Sequence, residues 1–255
     1  RMLARYREIA GRAAAIICVS SHTAQVLRGY LEESRIAVPA IHIVPLGVNP
    51  GFVPAPEEQK YEIRRLHGLQ KPFFFFYGLP AENKNIDRLL QAFARRGSAL
   101  ADYELVIAGP AAEETVRSLH LRAAELGIAE YFRHVGRLAE RELPVMLSAA
   151  AALTFPSLYE GFGLPILEAM ACGTPVLTSL GHATEEVAAG LATLVDPHSV
   201  EDIAAGLARV VSTPEAARTR ARDYGHAMTW RRTAEQTLAV YRSVLGRTAI
   251  EQSPP

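Results

Sequence analysis

Residues 159–170, Y-E-G-F-G-L-P-I-L-E-A-M, hold the side chains of this chain best suited to chemistry. Two carboxylates, Glu160 and Glu168, have seven residues between them, and Gly161, Gly163 and Pro165 fall in that interval. An interior Gly costs a helix about 1 kcal/mol and an interior Pro about 3, so the spacing predicts a loop that turns into a helix. Pro165 suits a first turn, where its missing N–H has no partner to lose. Gly161 and Gly163 let the backbone approach a ligand with no Cβ in the way. A helix N-terminus presents free N–H groups and the positive end of a dipole, which suits a phosphate. Glu168 falls about one turn into the helix and Glu160 stays in the loop. One segment thereby offers two acceptors to a polyhydroxylated, phosphate-bearing ligand. Spacing alone also fits an ordinary Gly/Pro turn with two solvated glutamates. It does not fit a dinucleotide fingerprint, because Ile166 stands where G-x-G-x-x-G needs its third small residue, and this disfavours a nicotinamide dehydrogenase.

The elements that must position this segment alternate strand and helix patterns, which predicts an α/β fold with a parallel sheet. Strand candidates cover residues 14–20, 41–44, 73–77, 103–108, 132–135, 152–155, 174–178 and 191–195. Ser21 reads as the N-cap of a helix to Leu31. Residues 85–95 are helical, with Ile86, Leu89, Leu90 and Phe93 on one face. Further helices are expected at 113–126, 140–149 and 185–189 and through most of the chain after 195, with Gly173 ending the helix that carries Glu168. Residues 45–56 hold four prolines and two glycines and read as an interdomain linker. In such sheets ligands bind beyond the carboxyl ends of the strands, where Gly78, Gly109, Gly136 and residues 156–163 fall.

With 49% hydrophobic residues in 255, the chain is expected to be soluble and globular with a sizeable core. Basic and acidic residues number 27 each, so no general nucleic-acid surface is expected. Cys18 and Cys172 form no C-x-x-C or zinc spacing and read as buried thiols of a reducing, cytoplasmic setting. No apolar run approaches the length of a membrane span. The chain opens at Arg1 within a helix-like stretch, which suggests missing upstream residues, and residues 248–255 read as a frayed tail.

The string F-P-S-L-Y-E-G-F-G-L-P-I-L-E-A-M-A-C-G-T-P-V at 155–176 closely resembles the signature of the family 4 retaining glycosyltransferases. Supporting similarity runs through C-V-S-S-H-T-A at 18–24, V-P-L-G-V-N at 44–49, N-K-N-I-D-R-L-L at 83–90 and T-W-R-R-T-A-E-Q-T-L from Thr229. The resemblance implies the GT-B architecture, two Rossmann-like domains facing across a cleft. Residues 1–44 would then be the end of the acceptor domain, 45–56 the linker, 57–228 the nucleotide-sugar-binding domain and 229–247 a helix crossing back. Such a helix would leave Leu238, Tyr241 and Leu245 partly uncovered without the rest of the acceptor domain.

The implied roles fit the residues. Glu168 would accept hydrogen bonds from ribose hydroxyls and Glu160 would sit near the transferred sugar. Backbone amides from Gly161 and Phe162 to Gly163 and Leu164 would hold sugar and diphosphate. Lys84, otherwise an ordinary solvated loop lysine, would contact the diphosphate as leaving-group charge develops. The base would lie along main chain near Gly136, with Gly78 beside it, and uracil and guanine remain alternatives. Two departures remove positive charge: Asn83 precedes Lys84 where many relatives carry Arg or Lys, and Leu79 replaces an arginine found in some. Arg137 and Arg88 are candidate substitutes. No D-x-D motif is present, so no metal or other cofactor is expected. The implied partners are a UDP- or GDP-linked sugar and a glycan or lipid-linked acceptor, with peripheral contact at the inner membrane face through the missing domain. A non-catalytic nucleotide-sugar-binding module and a GT-B-type epimerase are the alternatives.

Overall fold

Phe73, Phe74, Phe75 and Phe76 are fully buried, and a run of four such side chains can be covered only inside a sheet with both faces packed. The computed structural model describes residues 2–251, with side chains described for 7–246. In chain order the elements are α1 (Met2–Arg12), β1 (Ala15–Cys18), α2 (Ser21–Glu33), β2 (Ala40–Ile43), α3 (Glu57–Leu66), β3 (Phe73–Tyr77), α4 (Ile86–Ala94), β4 (Glu104–Ala108), α5 (Glu113–Glu125) and β5 (Phe132–His134). There follow α6 (Leu143–Ala149), β6 (Ala152–Phe155), α7 (Leu164–Ala171), β7 (Val176–Ser179), α8 (Ala183–Ala188), β8 (Thr193–Val195), α9 (Val200–Val211), α10 (Glu215–Ala227) and α11 (Trp230–Glu251). The α/β alternation expected from sequence is what forms.

Two parallel sheets result. β1 pairs with β2, and six strands form the main sheet in the order β5-β4-β3-β6-β7-β8. Every pairing in the main sheet is parallel. Two groups of helices flank it: α4 with α5 and α9, and α7 with α6, α8 and α10. The order reverses between β3 and β6, so the loops that leave these two strands diverge and open a crevice at their carboxyl ends.

Several local expectations are corrected. Ser20, not Ser21, caps α2: it is extended, and its side chain accepts from the Thr23 N–H. Asn85 is not helical but left-handed (φ 59°), between a 3-10 turn at Glu82–Lys84 and α4. α6 begins at Leu143 rather than 140, after a turn in which Glu142 accepts from the Ala139 N–H. α3 was not foreseen, because it buries only Ile63 while Tyr61 and Leu66 stay exposed. α11 runs through Glu251, and residues 252–255 of the expected tail lie outside the described residues.

The breaker-rich stretch 45–56 is tied to the start of α11. The Val48 N–H donates to the Met228 carbonyl at 2.8 Å, and Thr233 Oγ1 donates to the Pro45 carbonyl at 2.8 Å. Along α11, Leu238, Tyr241 and Leu245 are exposed, as the sequence suggested.

The carboxyl ends of β3 and β4 approach each other closely through glycines. Gly109 has φ 147°, and a Cβ there would sit 2.0 Å from the Gly78 carbonyl oxygen. Gly109→Ala is therefore expected to lower the unfolding free energy by about 3 kcal/mol or more in urea denaturation. Gly127→Ala, also at positive φ but with no atom within 4 Å of the added Cβ, should cost only about 1–2 kcal/mol. Equal losses would show that backbone conformation, not the close approach, governs Gly109.

Candidate active site

Two loops form the crevice lips. The loop after β3 carries Asn83, Lys84 and Asn85, and the loop after β6 carries Tyr159 to Gly163. Lys84 Nζ pairs with Glu160 Oε1 across the gap at 2.5 Å, and it also lies 5.1 Å from the centre of the Phe155 ring. Both partners are largely shielded, with side chains 19% and 14% exposed. An ion pair so placed has been stripped of most of its water, and each charge depends on the other until a ligand competes.

Three residues fix the lips. Asn83 Nδ2 donates to the Tyr159 carbonyl and its own carbonyl accepts from the Leu158 N–H at 2.7 Å. Asn85 is buried, and its amide donates to the Pro156 and Pro197 carbonyls at 2.9 and 2.7 Å. The left-handed backbone turns this amide inward, a conformation Asn tolerates better than other residues with a Cβ. Arg88 donates to Asn85 Oδ1 at 3.0 Å, so this candidate cation is already engaged in holding the loop.

α7 begins as the spacing predicts. Gly163 is left-handed (φ 115°) at its N-cap, Pro165 lies in the first turn, and no side chain caps the helix. Phe162 is buried in the core and Leu164 half-buried. Gly173, at φ 75°, follows the C-cap Cys172. The carbonyl of Gly161 accepts from Ser20 Oγ at 2.7 Å and Thr23 Oγ1 at 2.9 Å. Glu186 completes this junction by accepting from the Ser21 and His22 N–H groups at 2.8 and 3.1 Å. The start of α2 is thus bonded to the loop that carries Glu160. Nearby, the His22 ring meets His182 edge-on at 5.4 Å. Burial, with His22 and His198 close by, pushes the His182 pKa down against the pull of Glu185.

Beneath α7, Glu168 Oε2 accepts from the Tyr77 hydroxyl, 91 residues away in sequence. Burial raises the Glu168 pKa, and the Tyr77 bond opposes that rise. Tyr77 also lines a cavity of about 170 Å³ with Gly78, Leu79, Gly109 and Arg137. Gly136 is left-handed, and its carbonyl accepts from the Gly109 N–H at 2.8 Å. A larger cavity of about 730 Å³, between residues 49–59 and 139–145, contains none of the candidate residues. The fold therefore pairs Lys84 with Glu160, sets Gly78 and Arg137 on one cavity wall, and links that wall to Glu168 through Tyr77. Sequence reasoning missed Ser20, Thr23, Tyr77, Asn83 as a loop tie and Asn85, because their partners are remote in the chain.

A parallel α/β sheet with an order reversal places an uncapped helix N-terminus and a shielded Lys–Glu pair at the same point. Residues 58–228 match the family model "Glycosyl transferases group 1", and the chain belongs to that family. It is 31% identical over 253 residues to the MMP alpha-(1->4)-mannosyltransferase of Mycolicibacterium hassiacum, covering 95% of this chain and 57% of that protein. Sucrose-phosphate synthase from Thermosynechococcus elongatus superimposes with a TM-score of 0.81 at 24% identity, covering 96% of this chain and 62% of that one. Anabaena HepE, solved with UDP and glucose, gives 0.79 at 17% identity, covering 95% and 66%. At these identities the likeness shows a shared fold. The chain spans about half the length of the curated relatives it matches. No helix among the described residues is long and apolar enough to cross a membrane.

The raised pKa of Glu168 has a consequence for stability. The folded state holds its proton to higher pH than the unfolded chain does, so the stabilising effect is complete at acid pH and is lost as pH rises through the folded pKa. Glu168→Gln, which keeps an acceptor for Tyr77, should raise the melting temperature at pH 7 and flatten its decline as pH rises above the ordinary carboxylate range. A lower melting temperature than wild type at pH 7 would show that the ionised carboxylate stabilises the fold.

Proposed function

We propose that this chain is the donor-binding half of a retaining glycosyltransferase, which moves a sugar from a nucleoside diphosphate to an acceptor hydroxyl. The observation that carries the reading is the Lys84–Glu160 pair across the order reversal of the sheet, beside the uncapped start of α7. Family membership supports the reaction class, and the UDP held by Anabaena HepE supports a nucleoside diphosphate as donor carrier.

In this mechanism the diphosphate enters between the two lips and competes with Glu160 for Lys84. Lys84 and the backbone N–H groups of Gly163 and Leu164 meet the phosphate oxygens, where negative charge grows as the sugar departs. Glu160, released from its partner, accepts hydrogen bonds from sugar hydroxyls. Glu168 receives the ribose, and the cavity lined by Gly78 and Arg137 receives the base, with Gly136 behind it. The acceptor hydroxyl attacks on the face from which diphosphate leaves, and a phosphate oxygen takes its proton, so no protein nucleophile is needed. Because Lys84 and α7 supply the positive charge, the reaction proceeds without a metal.

The acceptor, a glycan or lipid-linked sugar, is assigned to chain beyond these residues, with contact at the inner face of the membrane as part of the same reading. The relatives support a hexosyl donor, with mannose the first candidate given the mannosyltransferase among them. On this reading the 255-residue chain alone binds donor without turning it over.

Thermal-shift screening against nucleotides and nucleotide sugars tests the reading. A donor present at 100 times its dissociation constant should stabilise the fold by about 2.7 kcal/mol, and stabilisation by no nucleoside diphosphate would remove it. In calorimetry, Lys84→Ala should weaken nucleoside diphosphate binding by about 10- to 100-fold, the cost of one charge-assisted bond, and leave the nucleoside unaffected. Equal losses for both ligands would argue against a phosphate contact. EDTA should leave turnover by the intact enzyme unchanged, and its abolition would overturn the metal-free step.

A further inference from the structure

Tyr77 combines three features. It ends β3 beside Gly78 and is the one polar residue in F-F-F-F-Y. Its ring stacks on Phe75 with centroids 5.8 Å apart and planes 18° from parallel, so the ring direction is set within the strand. Its hydroxyl reaches α7, donates to Glu168 Oε2, and the same side chain lines the small cavity shared with Gly78 and Arg137.

We propose that Tyr77 is a positioning residue for nucleotide recognition: its hydroxyl fixes the Glu168 carboxylate in the orientation that grips the ribose diol of the nucleoside diphosphate. This rests on the donor-binding role proposed for Glu168. A glutamate has three side-chain torsions, and ordering them on binding carries an entropic cost. With Oε2 committed to Tyr77, the carboxylate plane is set before ligand arrives and Oε1 remains available to the ribose. That cost is then met in folding rather than in binding.

Two further facts support the assignment. Burial pushes the Tyr77 hydroxyl pKa well above its ordinary value, with Glu168 adding to the rise, so the group remains a donor. The Tyr77 bond also lowers the Glu168 pKa against burial, which favours the acceptor-only carboxylate that a diol needs. Cys172, the neighbouring thiol on the same helix side, is pushed up to about 12 by burial and stays neutral. It therefore offers no competing charge.

The test compares dissociation constants of UDP and its 2′,3′-dideoxy analogue, or the guanine pair if GDP is the ligand. Wild type should prefer the ribose form by about tenfold or more, the cost of unpairing a charged acceptor. Tyr77→Phe, which keeps the ring on Phe75, should collapse that ratio towards the value of Glu168→Ala. Affinity for the dideoxy form should stay at the wild-type level. A Tyr77→Phe protein that keeps the wild-type ratio, whatever its absolute affinity, overturns the positioning role and leaves the donor reading intact. A wild type with no ribose preference overturns the role of Glu168 and this inference with it. Should Tyr77→Phe fail to fold, Tyr77→Gln and Tyr77→Leu repeat the comparison as a donor and a non-donor: the ratio should survive in the first and fall in the second.

Discussion

The order reversal of the main sheet between β3 and β6 is the constraint on which the rest depends. From β3 the chain moves outward to β4 and β5, and it then returns to lay β6 on the other side of β3. Loops leaving adjacent parallel strands in opposite directions cannot cover the gap between them. Lys84 stands on one lip of that gap and Glu160 on the other, so the ion pair between them closes the crevice. Tyr77, at the end of β3, reaches α7 through its bond to Glu168. A sheet with the same strands in sequential order would leave these groups on a flat, covered edge.

The crevice is held by amides and hydroxyls rather than by apolar packing. Asn85 bonds to main chain after β6 and after β8, so three strand ends share one side chain. Ser20 and Thr23 hold the Gly161 carbonyl from the opposite direction. Such bonds specify geometry, because an unsatisfied buried amide costs about 1–3 kcal/mol and few alternative arrangements satisfy all of them at once. The Lys84–Glu160 pair is different. It is shielded and has no second ionic partner among the described residues.

The sequence made the strands, the loop-to-helix turn and both glutamates legible because each is a local pattern: an apolar run, a Gly/Pro interval, a spacing. Ser20 in place of Ser21 and the left-handed Asn85 lay one residue outside what such patterns resolve. The Tyr77–Glu168 and Lys84–Glu160 contacts were not legible at all, since they join residues 91 and 76 positions apart. Sheet order alone creates those meetings, and sheet order leaves no local trace. α3 escaped for the opposite reason, because its own pattern is weak and it buries a single side chain. The expected loss of cation at Asn83 also looks different in three dimensions. Asn83 is a tie between the lips, a task that a long cationic side chain would perform less tightly.

The four consecutive phenylalanines of β3 carry a consequence for how the chain is made. Their neighbours on the sheet are β4 and β6, and β6 begins at Ala152. A ribosome emitting residues in order exposes the aromatic run long before its second edge can be covered. At about 5–20 residues per second this interval lasts several seconds. Throughout it the nascent chain carries a short, uncharged, strongly β-prone segment of the kind that self-associates. Yield of the folded protein should therefore depend on translation speed and chaperone supply.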